Sequence, residues 1–295
     1  MKTRTIGDVT VSAIGLGGMP LSIEGRPDEG RAIATIHAAL DAGITFFDTA
    51  DAYRLGGEAV SHNEQLFAKG LATYGGDTSQ VLIATKGGHL RSIPGTSWQV
   101  NGDPSYLKTA AEASLKNLGV EAIGLYQFHR PDPEADYADS VGAIRDLLDE
   151  GKIRMAGISN ANPEQIRLAQ EILGGRLVSV QNQFSPTFRS SEPELELATE
   201  LGIAFLPWSP LSGIGRAGAL GDKFAAFQEI ADAHGVSPQV ICLAWELAKS
   251  PIVIPIPGSS RPETVMDSAT APDVELRAGE VARLDATQAS HFHKS

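Results

Sequence analysis

Four side chains that could move a proton lie close to the ends of predicted strands. The segment FFDTADAY (residues 46–53) leaves Asp48 at a strand end and places the phenol of Tyr53 five residues later. A tyrosine has a reference pKa near ~10, so it is a weak acid at neutral pH unless its anion is stabilised. Lys86 ends the next predicted strand and would stabilise that anion, while Asp48 would keep the ammonium charged. His129 at the end of the fourth strand could donate to a carbonyl oxygen or share the proton, so the set contains the groups needed for acid catalysis.

The same residues also allow a purely structural interpretation. A lysine or histidine that closes a strand is usually a solvated rim residue, and a buried Asp48–Lys86 ion pair with Tyr53 packed beside it would involve no chemistry. Other predicted strands, however, also end in polar or small residues: Ser159, Asn160, Gln181, Ser209, Gly258 and Ser259. Because function in a barrel of parallel strands gathers at their carboxyl ends, this joint occurrence favours an active site.

Short apolar runs alternate with helical segments along the chain. Eight runs are rich in β-forming residues: residues 14–19, 45–49, 81–86, 123–129, 153–159, 177–183, 203–208 and 252–257. The segments between them have helical spacing of apolar residues, and most close on a glycine suited to a C-terminal cap. Strands that alternate with helices and are apolar on both faces indicate a parallel sheet. We therefore predict the α/β class and a single domain over residues 1–295, a (β/α)8 TIM barrel.

Two segments fall outside this repeat. Residues 3–12 predict a short β-hairpin that turns at Gly7 and Asp8 and caps the barrel bottom ahead of the first strand. Residues 87–103 are rich in Gly, Pro and polar residues and are long for a strand-to-helix connection, so we expect a functional loop or lid. The residues after Ala286 are expected to form a loose end.

The charge balance argues against nucleic acid and membrane partners. The chain has 36 acidic and 24 basic residues, a formal net charge of −12, and no basic run that could follow a phosphate backbone. A small anionic ligand is still compatible, because Arg261 offers a local positive charge. The N-terminal pattern is not that of a signal peptide, and no stretch approaches the ~18 apolar residues of a membrane span. We expect a cytoplasmic protein, monomeric by default, whose single Cys242 packs in the core.

Two patterns that suggest other kinds of site carry little weight. The segment GIGRAG (residues 213–218) matches G-x-G-x-x-G after a strand, but no βαβ unit with an acidic strand end follows it. We expect a barrel loop that closes over a ligand. His291 and His293 lie in the predicted loose end, and the first strand does not end in H-x-H, so no metal site is predicted.

Seven segments resemble the aldo-keto reductases, in order, across nearly the whole chain. They are FFDTADAY, ATKGG, LYQFHRPDP, GKIRMAGISN, VQNQFS, PWSPLSG and IPIPGSSRPE. The resemblance implies a (β/α)8 barrel that binds NADPH in extended form, transfers hydride from the nicotinamide to an aldehyde or ketone, and protonates the alkoxide from tyrosine. It also implies that the catalytic residues are Asp48, Tyr53, Lys86 and His129.

The resemblance further implies which residues bind the cofactor. Ser159, Asn160 and Gln181 would contact the nicotinamide carboxamide, and Trp208 would stack on the ring where tyrosine is commoner. The segment Ser209, Leu211 and Gly213 would follow the pyrophosphate, and Gly258, Ser259, Ser260 and Arg261 would face the adenosine 2′-phosphate. The remaining cofactor residues on this basis are Gly18, Met19 and Asp48.

Cofactor preference depends on the last of these segments. Arg261 favours NADPH, because a guanidinium can bind the extra phosphate. Thr264, Asp267 and Ser268 stand where related proteins often carry Arg, Glu and Asn, and they offer fewer donors. NADPH is therefore expected, with NADH as the alternative.

The substrate is predicted only as a small-molecule carbonyl compound. Residues 54–63 depart from the short Gly-rich form frequent in the family, and Met19, Trp98 and Arg130 are expected to line an open pocket. Such a pocket suits substrates larger than simple aliphatic aldehydes. The rival interpretation is a nicotinamide-binding regulatory or redox-sensor module with little turnover, for which a stable complex with another protein would be diagnostic.

Overall fold

Parallel strands alternate with helices along the chain in a computed structural model, which describes residues 1–58, 61–91, 98–213 and 216–287. The strands are β1 (Thr3–Ile6), β2 (Val9–Ser12), β3 (Leu16–Gly17), β4 (Phe46–Asp48), β5 (Leu82–Gly87), β6 (His89–Leu90), β7 (Gln99–Val100), β8 (Ile123–Phe128), β9 (Ile153–Ser159), β10 (Leu177–Gln181) and β11 (Ala204–Phe205). Seven of them form one parallel sheet in the order β3-β4-β5-β8-β9-β10-β11. This is the predicted barrel sheet, and the (β/α)8 prediction is confirmed.

The eighth predicted strand closes the barrel through fewer hydrogen bonds than the others. Val253 forms an isolated parallel bridge to Phe205 of β11, and Gly258 forms one to Gly17 of β3. Towards β3, only the carbonyls of Pro255 and Pro257 accept bonds, from Gly15 and Gly17. Proline has no N–H, so the return bonds of a regular ladder cannot form there. The segment at residues 252–257 is therefore in place but is not a regular strand.

Helices connect the strands and surround the sheet. They are α1 (Glu29–Asp41), α2 (His62–Thr73), α3 (Pro104–Leu118), α4 (Tyr137–Asp149), α5 (Pro163–Ile172), α6 (Glu192–Leu201), α7 (Leu220–Lys223), α8 (Ala225–His234), α9 (Pro238–Lys249), α10 (Pro262–Ser268) and α11 (Ala278–Asp285). Side chains cap several N-termini, as Asp103 does for α3 and Asn162 for α5. Gly119 ends α3 with φ of 68°, a conformation that glycine adopts without strain.

Apolar side chains fill the barrel interior and the layer between strands and helices. Phe46, Leu125 and Ile254 belong to the inner cluster and are fully buried. Phe47, the next residue along β4, points the other way and packs on Phe67 of α2, with ring centroids 5.3 Å apart. This alternation explains why the barrel strands are apolar on both faces.

The N-terminal hairpin is present as predicted. Strands β1 and β2 pair antiparallel, from Thr3 opposite Ser12 to Ile6 opposite Val9. Ile6 and Val11 are buried in the inner barrel cluster. The hairpin therefore closes the barrel at the end opposite to the strand carboxyl ends.

The predicted loop at residues 87–103 begins and ends as a second hairpin. His89 of β6 pairs with Val100 of β7, and Leu90 pairs with Gln99. Residues 92–97 lie outside the described residues. In the described ranges, no helix is long and apolar enough to cross a membrane.

The hairpin cap can be tested through Ile6, whose side chain is completely buried. Replacing Ile6 by Ala should lower the free energy of unfolding by about 2–5 kcal/mol, because it removes buried methyl groups and leaves a cavity. Urea denaturation followed by circular dichroism gives this value. Thr5→Ala on the exposed face of the same strand is the control and should cost less than about 1 kcal/mol. Equal losses would show that the hairpin does not pack into the barrel.

Candidate active site

Lys86 is the centre of a hydrogen-bonded cluster at the carboxyl ends of β4 and β5. Its Nζ lies 2.7 Å from Asp48 Oδ2, 2.9 Å from the Thr49 carbonyl oxygen and 3.2 Å from the Tyr53 hydroxyl. The lysine side chain is fully buried and that of Asp48 is nearly so. All three donor positions of the ammonium are thus directed at oxygen atoms.

Asp48 is held from a second side by amides of neighbouring strands. Its Oδ1 accepts a hydrogen bond from Gln181 Nε2 at 2.8 Å and a longer one from Gln127 Nε2 at 3.5 Å. Strands β4, β5, β8 and β10 all contribute to this one network. A buried carboxylate is tolerated when it is both paired and hydrogen-bonded, and Asp48 is both.

The pKa of Tyr53 is raised above its ordinary value. Burial is the main cause, since it disfavours the phenolate, and the nearby Lys86 ammonium only partly offsets it. The pKa of Lys86 is also raised: burial by itself would lower it, but the negative charge of Asp48 and the contact with Tyr53 outweigh burial. At neutral pH this cluster therefore contains a neutral phenol beside a charged ammonium.

His129 is a neutral imidazole facing the same phenol. Its ring lies 5.8 Å from that of Tyr53, nearly perpendicular to it. Burial lowers the pKa of His129 well below its ordinary value, and the positive charges nearby lower it further. In its neutral form the ring can donate one hydrogen bond but does not supply a charge.

A second histidine, His89, was not predicted from the sequence. Its ring is 4.2 Å from that of His129 and 5.5 Å from the Trp98 indole. Arg130 Nε donates to His89 Nε2 at 3.3 Å, which assigns the imidazole proton to Nδ1. Burial, with the charge of Arg130, lowers the pKa of His89 to about 4. The position of His89, three residues after Lys86, could have indicated a place in the active site. The irregular composition of that segment, however, did not predict the hairpin that contains His89.

These groups open into a cleft of about 1110 Å³ across the mouth of the barrel. Nearly all of the predicted site residues line it: Met19, Asp48, Tyr53, Trp98, His129, Arg130, Ser159, Asn160, Gln181, Trp208, Ser209, Leu211, Gly213, Gly258, Ser259, Ser260 and Arg261. Lys86 and Gly18 lie behind the wall. Gly17 faces the cleft instead of Gly18, whose carbonyl accepts from Asn63 Nδ2 and whose α-carbon has no room for a Cβ.

A chain of side-chain hydrogen bonds fixes the middle of the cleft. Asn160 has φ of 57°, and its Nδ2 donates to the His129 carbonyl and to Ser159 Oγ, both at 3.0 Å. Trp208 Nε1 donates to Asn160 Oδ1 at 3.2 Å, and Ser159 Oγ donates to the Gln181 carbonyl at 2.7 Å. Trp208 therefore bonds the Asn160 amide through its indole nitrogen. A tyrosine at this position could not make the same bond, because its ring contains no nitrogen.

The far end of the cleft surrounds the start of α10. Ser259 Oγ bonds the carbonyl of Arg261 and the hydroxyl of Thr264, and the Arg261 side chain is exposed. Asp267 and Ser268 also line this end, and Asp267 Oδ2 accepts from Ser237. One exposed guanidinium thus faces a ligand at this end, beside a carboxylate whose Oδ2 is already bonded to Ser237.

Two other sequence patterns give no separate site in the described part of the chain. Gly213 lies in the cleft and Ala217–Ala219 form a short 3-10 turn, but Ile214 and Gly215 lie outside the described residues. His291 and His293 lie outside them too. Among the described residues, no group of three His, Cys, Asp or Glu side chains could hold a metal ion.

Comparison with known proteins gives similarity along the whole barrel. The model of the Aldo/keto reductase family matches residues 13–289. The 6-dehydroglucose reductase of Novosphingobium aromaticivorans is 35% identical over 273 residues, covering 89% of this chain and 87% of that protein. An uncharacterized oxidoreductase of Schizosaccharomyces pombe is 34% identical over 287 residues, covering 96% and 89%. The crystal structure of an aldo/keto reductase from Klebsiella pneumoniae in complex with NADP and acetate matches with a TM-score of 0.80 at 25% identity, covering 100% of this chain and 98% of that one.

The buried His129 and the half-buried His89 should make the fold sensitive to acid. An unfolded imidazole takes up a proton below about pH 6.5, whereas folded His89 does so only near pH 4, so the unfolded state binds more protons in this window. Stability should therefore fall as the pH is lowered from about 6.5 to about 4. Urea denaturation at several pH values should show His89→Gln losing roughly 1–3 kcal/mol less than the unaltered protein over this range. If the free energies of unfolding of the two proteins fell in parallel over this pH range, the lowered pKa of His89 would be contradicted.

Proposed function

Because the chain belongs to the aldo/keto reductase family, we propose that it reduces an aldehyde or ketone to an alcohol with NADPH, as one domain over residues 1–295. The observation that carries the proposal is the contact of the buried Lys86 ammonium with both Asp48 and Tyr53 at the mouth of a large cleft. An ion pair buried for stability alone needs no phenol and no cleft beside it. This arrangement places an acid where a ligand can reach it.

The residues present fit a nicotinamide cofactor. The cleft provides amides at Asn160 and Gln181, an indole at Trp208 and the exposed guanidinium of Arg261. Gly17 and Gly258 leave backbone close to the ligand space, and a Cβ at Gly17 would overlap the Ile256 carbonyl. When bound, NADPH supplies a hydride from its nicotinamide ring.

Tyr53 is the proton donor in this proposal. The carbonyl oxygen of the substrate lies between the Tyr53 hydroxyl and the His129 imidazole, both of which line the cleft. As negative charge develops on that oxygen, Tyr53 gives up its proton, and the ammonium of Lys86 stabilises the phenolate that forms. Asp48 holds Lys86 charged throughout, and neutral His129 orients the carbonyl by a hydrogen bond.

NADPH is preferred over NADH on two grounds. The Klebsiella pneumoniae relative was crystallised with NADP. Arg261 is exposed at the end of the cleft, where a guanidinium could bind the 2′-phosphate. The negative charge of Asp267 at this end of the cleft opposes the preference for NADPH. The Oδ2 atom of Asp267 accepts a hydrogen bond from the Ser237 hydroxyl.

The substrate is larger than a simple aliphatic aldehyde in this proposal. Met19, Trp98 and Arg130 line the cleft near the catalytic cluster, and they leave room beyond a small carbonyl. The relative from Novosphingobium aromaticivorans is named for a sugar carbonyl, which makes hexose aldehydes the first substrates to test. A cytoplasmic location and a monomeric state stay predictions.

Replacing Tyr53 by Phe tests the mechanism. Reduction should fall by at least ~10²–10⁴-fold, since positioned acid catalysis contributes that much, while NADPH binding persists. Nicotinamide absorbance measures turnover, and fluorescence titration measures cofactor binding. Tyr137→Phe is the matched control, because its buried hydroxyl has no hydrogen-bond partner and lies on helix α4. Near-normal turnover by Tyr53→Phe would sink the assignment, and tight NADPH binding without any turnover in the unaltered protein would favour a sensor.

Replacing Arg261 by Ala tests the cofactor preference. Loss of a charge-assisted hydrogen bond of roughly 1.5–3 kcal/mol should weaken NADPH binding about ten- to hundred-fold and leave NADH nearly unchanged. Titration of both nucleotides provides the comparison. Arg167→Ala, on the exposed face of α5, should change neither affinity. Equal weakening of both nucleotides would mean that Arg261 does not read the 2′-phosphate.

A further inference from the structure

A second cavity opens beside the cleft on the other side of Trp208 and Arg130. It measures about 300 Å³ and shares Arg130, Asn160 and Trp208 with the cleft. Its remaining wall comes from the loops after β9 and β10 and the first turn of α6, including Asn162, Phe188 and Glu194. Ligand pockets measure roughly 300–1,000 Å³, so this cavity has room for one small ring.

Glu194 gives this cavity an unsatisfied polar group. Its side chain lines the cavity and is more than nine-tenths buried, and its Oε2 has no hydrogen-bond partner. A buried oxygen without a partner costs roughly 1–3 kcal/mol, and more when it is charged. Burial also raises the pKa of Glu194. A ligand that donates a hydrogen bond here would remove that cost.

The charges of the cavity indicate a neutral ligand. Among its described wall residues, Arg130 is the one cation and Glu194 the one anion. The two formal charges cancel, so a phosphate or carboxylate ligand would meet a carboxylate as well as a guanidinium. Amide and hydroxyl side chains form most of the remaining polar wall: Asn162, Asn182, Gln183, Ser190 and Ser191.

The wall of the cavity offers hydrogen-bonding groups and apolar faces that complement the hydroxyl and C–H groups of a sugar ring. A hydroxyl both donates and accepts, so the hydroxyls of one ring can donate to Glu194 and accept from Arg130. The rings of Trp208 and Phe188 offer apolar faces for the C–H groups between the hydroxyls. Asn182 is already oriented, because both of its amide atoms bond the backbone of Ala161.

Arg130 connects this cavity to the reacting end of the substrate. It lines both spaces, and its Nε is bound to His89, which packs against His129. A substrate with its carbonyl at Tyr53 can therefore place a further group beside Arg130, at the wall that the cleft shares with the cavity. We propose that this cavity, the side pocket, binds the hydroxylated ring of an uncharged sugar-type carbonyl substrate through Glu194 and Arg130. The proposal rests on the proposed reductase function and narrows its substrate class.

The test compares a long and a short substrate in a variant of Glu194. Glu194→Gln keeps the size of the side chain and removes the carboxylate. With NADPH in excess, it should raise KM for 6-dehydroglucose about ten-fold and change KM for glyceraldehyde, which has no hydroxylated ring, less than two-fold. The value of kcat should stay within two-fold for both. Glu192→Gln, in the same first turn of α6 but outside the cavity wall, is the control for the helix charge and should change neither KM.

A second variant and a binding measurement keep the test independent of folding and of turnover. Ser190→Trp fills the pocket from its exposed rim and should give the same selective loss. Tryptophan fluorescence should report glucose binding to the unaltered protein and weaker binding to Glu194→Gln. The side-pocket proposal would be overturned if KM changed equally for both substrates or did not change for either. Better turnover of a phosphorylated hexose aldehyde than of the uncharged substrate would also overturn it. If no carbonyl compound is reduced, the proposed function fails, and glucose binding alone then supports or refutes the pocket.

Discussion

The buried pair of Lys86 and Asp48 constrains the rest of the active site. Transferring a lysine and an aspartate from water to the barrel costs several kcal/mol per ion, and that cost is met only when every polar atom finds a partner. The partners come from β4, β5, β8 and β10, so the relative register of these strands is tied to the pair. The barrel could not shift by one residue without leaving a charge unpaired.

The groups around this pair are neutral mainly because they are buried. Burial is the main cause of the lowered pKa values of His129 and His89, and the Lys86 ammonium lowers both further. Burial also keeps Tyr53 protonated. The cluster therefore contains one fixed ion pair surrounded by neutral donors, which suits a reaction in which charge appears only on the substrate oxygen.

Most of the fold and of the candidate site was predictable because both depend on local patterns. Apolar runs predicted the barrel, and polar residues at their ends predicted the cleft lining, as with Asp48 and Gln181. What was missed depends on contacts across the fold. His89 lies in a hairpin that forms by pairing with distant Gln99 and Val100, and Gly18 sits one residue behind Gly17 because of its packing on Asn63. Neither relation leaves a periodic signal in the sequence.

The irregular eighth strand has a consequence for how a ligand acts on the whole protein. Between β3 and the segment with Pro255 and Pro257, the barrel seam lacks the hydrogen bonds that these two positions would donate in a regular ladder. The two glycines that bridge this seam, Gly17 and Gly258, both face the cleft. A molecule lying across them contacts both sides of this seam, and these contacts exist only in the folded barrel. By mass action, a ligand in the cleft therefore also stabilises the barrel. The protein isolated with its ligand should have a higher melting temperature than the ligand-free protein.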